Sequence, residues 1–203
     1  MSETVEFRTA LHDALDEELA ADPSVILFGE DVALAGGVFA VTPGLFEKHG
    51  PDRVFDTPIS ELAMTGAAFG AAISGMRPVL EIMFGDFLAL SMDSLINQAS
   101  KYWFLTGGRQ SVPLVIRSVV GAGGRFGAIH SQMPVSWLMG IPGLKIVAPS
   151  TPGSAKGLLR PRSATPTPCS SSSTSASIRR RARSTTESSS RSASPRWCAR
   201  APT

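Results

Sequence analysis

The sequence predicts an α/β fold, a parallel sheet flanked by helices on both faces, and two observations carry that prediction. Short apolar runs of strand length alternate along the chain with segments of helical periodicity. The runs are apolar at nearly every position rather than at alternate ones, as VILFG (25–29) and VPLVIRSVV (112–120) show, so both faces of each strand are expected to be buried.

The elements come in this order. Residues 7–21 place Leu11, Ala14, Leu15 and Leu19 on one stripe with acids opposite, an amphipathic helix that Asp22 and Pro23 end. VILFG is a strand, and the glycine-rich stretch GEDVALAGGVFAV after it is a loop. A short helix near 43–49 precedes a brief strand at 53–56. Thr57 and Pro58 break the chain, and Ser60 is placed to cap a helix over 61–75. That helix carries a face of small residues, Gly66, Ala67, Gly70, Ala71 and Gly75, which lets a neighbour approach closely. VLEIMF (79–84) is the next strand, and a long helix is expected over 87–105, with Leu90, Leu95, Ile96 and Ala99 turned inward. The strand at 112–120, a glycine loop at 121–131, a short helix at 132–139, a strand at 144–149 and a helix from about 151 complete the pattern. Ligands of such sheets bind outside the carboxyl ends of the strands, which selects the loops at 29–42, 56–61, 84–87 and 120–131.

Near Arg160 the composition changes. Residues 161–203 contain thirteen Ser, eight Arg, six Ala, six Thr and five Pro, with no Gly, Leu, Val, Lys or Asp. Such a stretch buries too little apolar surface to offset its ordering entropy, and it is expected to be disordered. It also distorts the charge balance. Residues 1–160 carry eleven Lys and Arg against sixteen Asp and Glu, a net of −5, and the tail carries eight Arg against one Glu, a net of +7. The part expected to fold is mildly acidic and has no nucleic-acid footprint. Both cysteines, Cys169 and Cys198, lie in the tail, so the folded part has no disulfide framework and no thiolate metal site. The first residues lack the basic and apolar regions of a secretory signal, and no window is apolar over the roughly 18–20 residues that span a bilayer. The expectation is a cytoplasmic protein without membrane or nucleic-acid partners.

Taken alone, Glu61 is an acid in the first turn of a helix, where the dipole favours it. Its surroundings add more. FGEDV, DTPISE, GMRPVLEIMFGDF, AIHSQ and PGLKIVAPST occur in this order over about residues 4–160. In order and interval these motifs resemble the β subunits of the thiamin-diphosphate-dependent 2-oxo acid dehydrogenases, which act on pyruvate, branched-chain 2-oxo acids or acetoin. The resemblance implies a transketolase-like pyrimidine-binding domain at 1–160, incomplete at its C-terminal end, followed by the tail at 161–203 in place of a further C-terminal domain. It implies an oxidoreductase that decarboxylates or cleaves its substrate and passes the acyl group to lipoamide.

The resemblance also assigns residues. Glu61 matches the carboxylate that shares a proton with N1′ of the cofactor's aminopyrimidine, favouring the imino form that takes a proton from the thiazolium ring. Phe87 matches the aromatic ring stacked on the pyrimidine and Met83 a neighbouring pocket residue; packing at a strand-to-helix turn is the plain alternative for both. His130 matches a histidine at the mouth of the site, implicated in handing the acyl group to a lipoyl arm. Glu30 matches a second acid on a proton path between paired sites, or is a solvated loop acid. Leu114 matches a position whose backbone carbonyl helps hold a structural potassium ion in some members. The family's signature for diphosphate and magnesium, Gly-Asp-Gly followed by Asn, has no counterpart, since Gly85, Asp86 and Phe87 lack the second glycine. An α subunit is therefore expected to supply that half of the site in an α2β2 heterotetramer, with a lipoyl-bearing acyltransferase core as a further partner.

Family members continue past Leu159 with a strand and then another domain. Codons can be chosen for residues 161–203 so that another frame reads AIRDPDPVLFFEHKRLY and onward, a fluent continuation of the family. A frameshift near Arg160 is the expectation, which would leave the sheet with an unpaired edge. The alternative is a native basic linker or nucleic-acid arm, although the tail has no base-stacking aromatic other than Trp197. An inactive remnant, and less closely a transketolase or deoxyxylulose-phosphate synthase fragment, are the rival readings of the whole.

Overall fold

The computed structural model describes residues 4–159, 169–174 and 181–183. A short strand β1 (Thr4–Glu6) leads into helix α1 (Phe7–Ala21). Strand β2 (Val25–Gly29), helix α2 (Leu45–His49), strand β3 (Val54–Asp56), helix α3 (Glu61–Ile73) and strand β4 (Arg77–Phe84) come next. After a helical segment come β5 (Val115–Val120), α5 (Val135–Leu138), β6 (Lys145–Val147) and α6 (Pro152–Leu159), with α4 (Tyr102–Leu105) just before β5. Strands β7 (Cys169–Thr174) and β8 (Arg181–Arg183) close the described chain.

The main sheet runs β3-β2-β4-β5-β7-β6, and every pairing in it is parallel. Helices cover both faces, as parallel strands require. On one face Phe7, Leu11, Leu15 and Leu19 of α1 pack with Ala155 and Leu159 of α6 over Val25, Leu27, Val79 and Val115. On the other, Met64, Ala68 and Ala72 of α3 join Leu88, Leu95 and Ala99 over Ile26, Phe28, Leu80, Ile82 and Ile116. The strands are not wholly apolar. Glu81 and Arg117, paired across β4 and β5, form a buried ion pair on the α1 side. The contact is an ion pair rather than an aligned hydrogen bond, and the Nε and Nη1 of Arg117 have no hydrogen-bond partner among the described residues.

One expectation needs correction. The helix over 87–105 is broken into a 3-10 turn (Gly85–Ala89), a π-helical stretch (Asp93–Ala99) and α4. The Ser91 hydroxyl bonds the carbonyl of Glu61 and accepts from the Thr65 hydroxyl, which draws the segment onto α3. The Ser100 amide reaches five residues back to the Leu95 carbonyl, and this wider turn shifts the helical phase. Leu95 and Ala99 are buried as expected, but Leu90 is 58% exposed.

Two segments of the tail are among the described residues. Residues 169–174 and 181–183 are strands: β7 lies between β5 and β6, and β8 pairs antiparallel with β1. The edge of β5 is therefore paired, not open. Backbone groups alone build such a ladder, so a composition poor in apolar residues does not forbid it. The expectation of disorder for the rest of 161–203 falls outside the described residues.

Removing one member of the buried pair leaves the other charge uncompensated. Glu81→Leu should lower stability by about 3–5 kcal/mol, and adding Arg117→Met should restore most of the loss. Urea unfolding midpoints of the two variants decide it: a double variant as unstable as, or worse than, the single one would show that the pair is not coupled.

Candidate active site

Four loops leave the carboxyl edge of the parallel sheet, and each brings one of the expected residues. Glu30 comes directly after the last residue of β2. Glu61 begins α3, after the four-residue connection 57–60 that follows β3. Met83 and Phe87 flank the end of β4, and His130 sits on the loop after β5.

The Glu30 loop is held on both sides. The Ala33 amide donates to Asp56 Oδ1 at 2.8 Å, the Thr42 hydroxyl to the Val32 carbonyl at 2.7 Å, and the Thr57 amide to the Gly29 carbonyl at 2.9 Å. These bonds tie the end of β2 to the 57–60 connection that delivers Glu61. Ser60 stands at the start of α3 but makes no side-chain capping bond; its carbonyl accepts from the Met64 amide. Two hydroxyls instead grip the Glu61 carbonyl, from Thr65 at 2.7 Å and from Ser91 at 3.2 Å.

Both acids are buried, Glu61 at 5% exposure and Glu30 at 7%. Oε1 of Glu30 has no hydrogen-bond partner among the described residues. Burial first, then the nearby charges of Glu61 and Asp31, push the Glu30 carboxyl above its ordinary pKa. Sequence reasoning left a solvated loop acid open for Glu30, and the burial rules that out.

An aromatic cluster gathers where β4 ends, at the same edge of the sheet. The ring of Phe84 meets Phe87 at 5.9 Å and His130 at 4.7 Å between centroids, and Phe87 meets His130 at 5.2 Å, all edge to face. Phe39 and Phe126 pack on Phe84 from the flanking loops. Met83 is half-buried next to this cluster in sequence. Leu114, in contrast, is buried just before the amino end of β5, at the opposite end of that strand from His130.

The chemistry of this set fits an aminopyrimidine: buried carboxyls able to share a ring proton, one with an unpartnered oxygen, and a half-exposed aromatic ring on another loop of the same edge. Phe39, Phe84 and Phe126 were not anticipated as parts of the site. Their only sequence signal was position, on loops already selected by the fold.

Comparison with known proteins places the chain. The family of the transketolase pyrimidine binding domain matches residues 3–170. The chain is 48% identical over 169 residues to the acetoin:2,6-dichlorophenolindophenol oxidoreductase subunit beta of Cupriavidus necator, covering 78% of this chain and 50% of that one. It is 46% identical to the mitochondrial pyruvate dehydrogenase E1 component subunit beta-2 of Oryza sativa, covering 75% and 41% respectively. With the bovine mitochondrial pyruvate dehydrogenase E1 subunit beta the identity is 44%, over 77% and 44%. The chain thus spans about half, or less, of the length of these curated relatives. Among solved structures, a split gene transketolase described as an inactive beta4 tetramer shares the fold, with a TM-score of 0.65 at 17% identity over 83% of this chain and 50% of that one. By these matches the chain belongs to the transketolase pyrimidine-binding domain family, with the β subunits of the 2-oxo acid dehydrogenases as its sequence relatives.

Proposed function

We propose that residues 1–160 are the pyrimidine-binding domain of a β subunit that works with an α subunit in thiamin-diphosphate-dependent cleavage of a 2-oxo acid or acetoin. The observation that supports it most is the joint burial of Glu61 and Glu30 at the sheet's carboxyl edge, the edge to which the turn after β4 also brings Phe87. Thiamin diphosphate, when bound, supplies a nucleophilic carbon and an electron sink for breaking a bond next to a carbonyl. Glu61 holds a proton at N1′ of the pyrimidine, with its own backbone pinned by Thr65 and Ser91. Phe87 and Met83 form the wall on which the pyrimidine rests. Glu30, whose carboxyl burial pushes above its ordinary pKa, is suited to pass a proton toward a second site. His130 meets the acyl acceptor, a lipoyl group on an acyltransferase core. Magnesium and the diphosphate belong to the α subunit's half of the site, and the Leu114 carbonyl to a structural potassium site remote from the chemistry. No helix among the described residues is long and apolar enough to cross a membrane, and the cytoplasm is the place proposed.

The second reading is that the chain as given is an inactive remnant. It is favoured by the change of composition at Arg160 and by the frame that restores the family's continuation. In that frame residues 169–174 read LFFEHK, on the strand β7 that fills the gap between β5 and β6.

Three outcomes are expected. In a frame-restored protein assembled with a cognate α subunit, Glu61→Gln should lower decarboxylation by about 10²–10⁴-fold while leaving assembly intact; activity within about twofold of the parent is incompatible with the proton-sharing role. Expressed beside that α subunit, the chain as given should turn over neither a 2-oxo acid nor acetoin, and the restored chain should; activity of the uncorrected chain sinks the remnant reading. The last outcome concerns pH. A carboxyl whose pKa is higher folded than unfolded binds more protons in the folded state, so its contribution to stability falls as pH rises through the raised value. Glu30→Gln should therefore stabilise the chain at neutral pH, and the gain should disappear below about 4.5, the ordinary value for this side chain. A gain of equal size on both sides of that range would mean that ionisation is not its cause.

A further inference from the structure

Asp86 lies in the turn between β4 and Phe87, and it is only 8% exposed. The turn is pressed into the end of β5: a Cβ at Gly85 would collide with Val120 and lie within 3.2 Å of Pro134. From there Asp86 Oδ1 accepts two bonds from Gln132, one from the side-chain amide at 2.7 Å and one from the backbone amide at 3.3 Å. The carbonyl of Gln132 in turn accepts from the Gly121 amide at 2.9 Å. Gln132 is thus held at both backbone polar groups, and it closes the loop that leaves β5 at Gly121.

The same loop lays the Phe126 ring on Phe39 and Phe84. Residues 122–129 are exposed, and the backbone bonds within the loop include the turn bonds from Arg125 to Ala122 and from His130 to Gly127, the second at 3.4 Å. His130 nevertheless keeps its ring edge-on to Phe84 and Phe87, two residues before the clamp. A carboxylate acceptor makes stronger bonds than a neutral oxygen, and one buried turn carries both Asp86 and Phe87.

We propose that Asp86 is a positioning residue: through Gln132 it sets the place of His130 against Phe87. The inference rests on reading His130 as a residue of the thiamin site, but its geometric core does not need the cofactor. Asp86→Leu removes the acceptor, Asp86→Asn keeps one oxygen for the Gln132 donors, and Gln132→Ala removes the side-chain donor from an exposed position that should not endanger folding.

The sequence has three histidines. His12 bonds the Val41 carbonyl and His49 pairs with Asp16, both far along the chain from the clamp. The imidazole carbon–proton resonances of the full chain therefore give an internal control. In Asp86→Leu and Gln132→Ala the His130 resonance should move toward that of an exposed histidine, while His12 and His49 stay in place. Exchange of the Gly121 and Gln132 amides should quicken about tenfold or more. Asp86→Asn should retain most of the parent His130 shift, a rescue that a merely space-filling role does not predict. An unmoved His130 in Gln132→Ala, with both amides exchanging as in the parent, overturns the proposal even if the Asp86 variants fail to fold. The measurement uses no cofactor, so a clamp that holds while Glu61→Gln leaves activity unchanged would refute the thiamin reading and not this one.

Discussion

One row of residues across the sheet fixes the register on which its carboxyl edge is built. Asp56, Gly29, Glu81, Arg117, Ser171 and Val147 are register partners on β3, β2, β4, β5, β7 and β6 in turn. Strands β2, β3 and β6 end on this row, and β4, β5 and β7 run three residues beyond it. It tolerates little change. A Cβ at Gly29 would sit 2.5 Å from the Glu81 carbonyl oxygen, so no other residue fits there without shifting backbone. Glu81 and Arg117 occupy the face beyond, and a buried charge pair holds only in the register that brings both partners together. A slip of one residue would separate them and turn every core side chain to the wrong face. Glu30 comes directly after Gly29, and the Asp56 carboxylate on the same row holds the Ala33 amide.

How much of this could be read from sequence depended on whether a local pattern or a distant partner decided the outcome. Helix α1 and strand β2 have the expected bounds because periodicity and length are local properties. The segment after Phe87 was misjudged because its phase is set by the Ser91 hydroxyl against α3, a contact between residues 26 and 30 apart in sequence. Strand β7 was missed for another reason. Low apolar content predicts little burial energy, but a slot between two parallel strands is recognised by backbone amides and carbonyls that every residue except proline carries in full. Glu61, Phe87 and His130 were legible through linked motifs. The bond between Asp86 and Gln132 was not, although both residues lie inside those motifs, since nothing local marks two polar residues 46 apart as partners.

The end of β4 organises the aromatic side of the site. Phe39, Phe84, Phe87 and Phe126 pack edge to face around it. Met83, Phe84 and Phe87 come from a single strand end, where a register irregularity between Ile82 and Phe84 re-aims successive side chains. Such irregularities change which face a residue presents without changing the length of the strand. The same strand end therefore supplies the apolar wall of the site and, through Asp86, the anchor of the opposite loop.

Two carboxyls buried at one edge are a poor choice for stability alone. Each loses hydration, and burial first, then the charges of Glu61 and Asp31, push the Glu30 carboxyl upward. One of the Glu30 oxygens also lacks a hydrogen-bond partner among the described residues. A glutamine at either position would keep the shape and remove the electrostatic cost. Stability alone gives no reason to keep both acids; the proposed function, with a proton held at one and released at the other, would, and that is the physical ground for the proposal placing the chemistry at this edge.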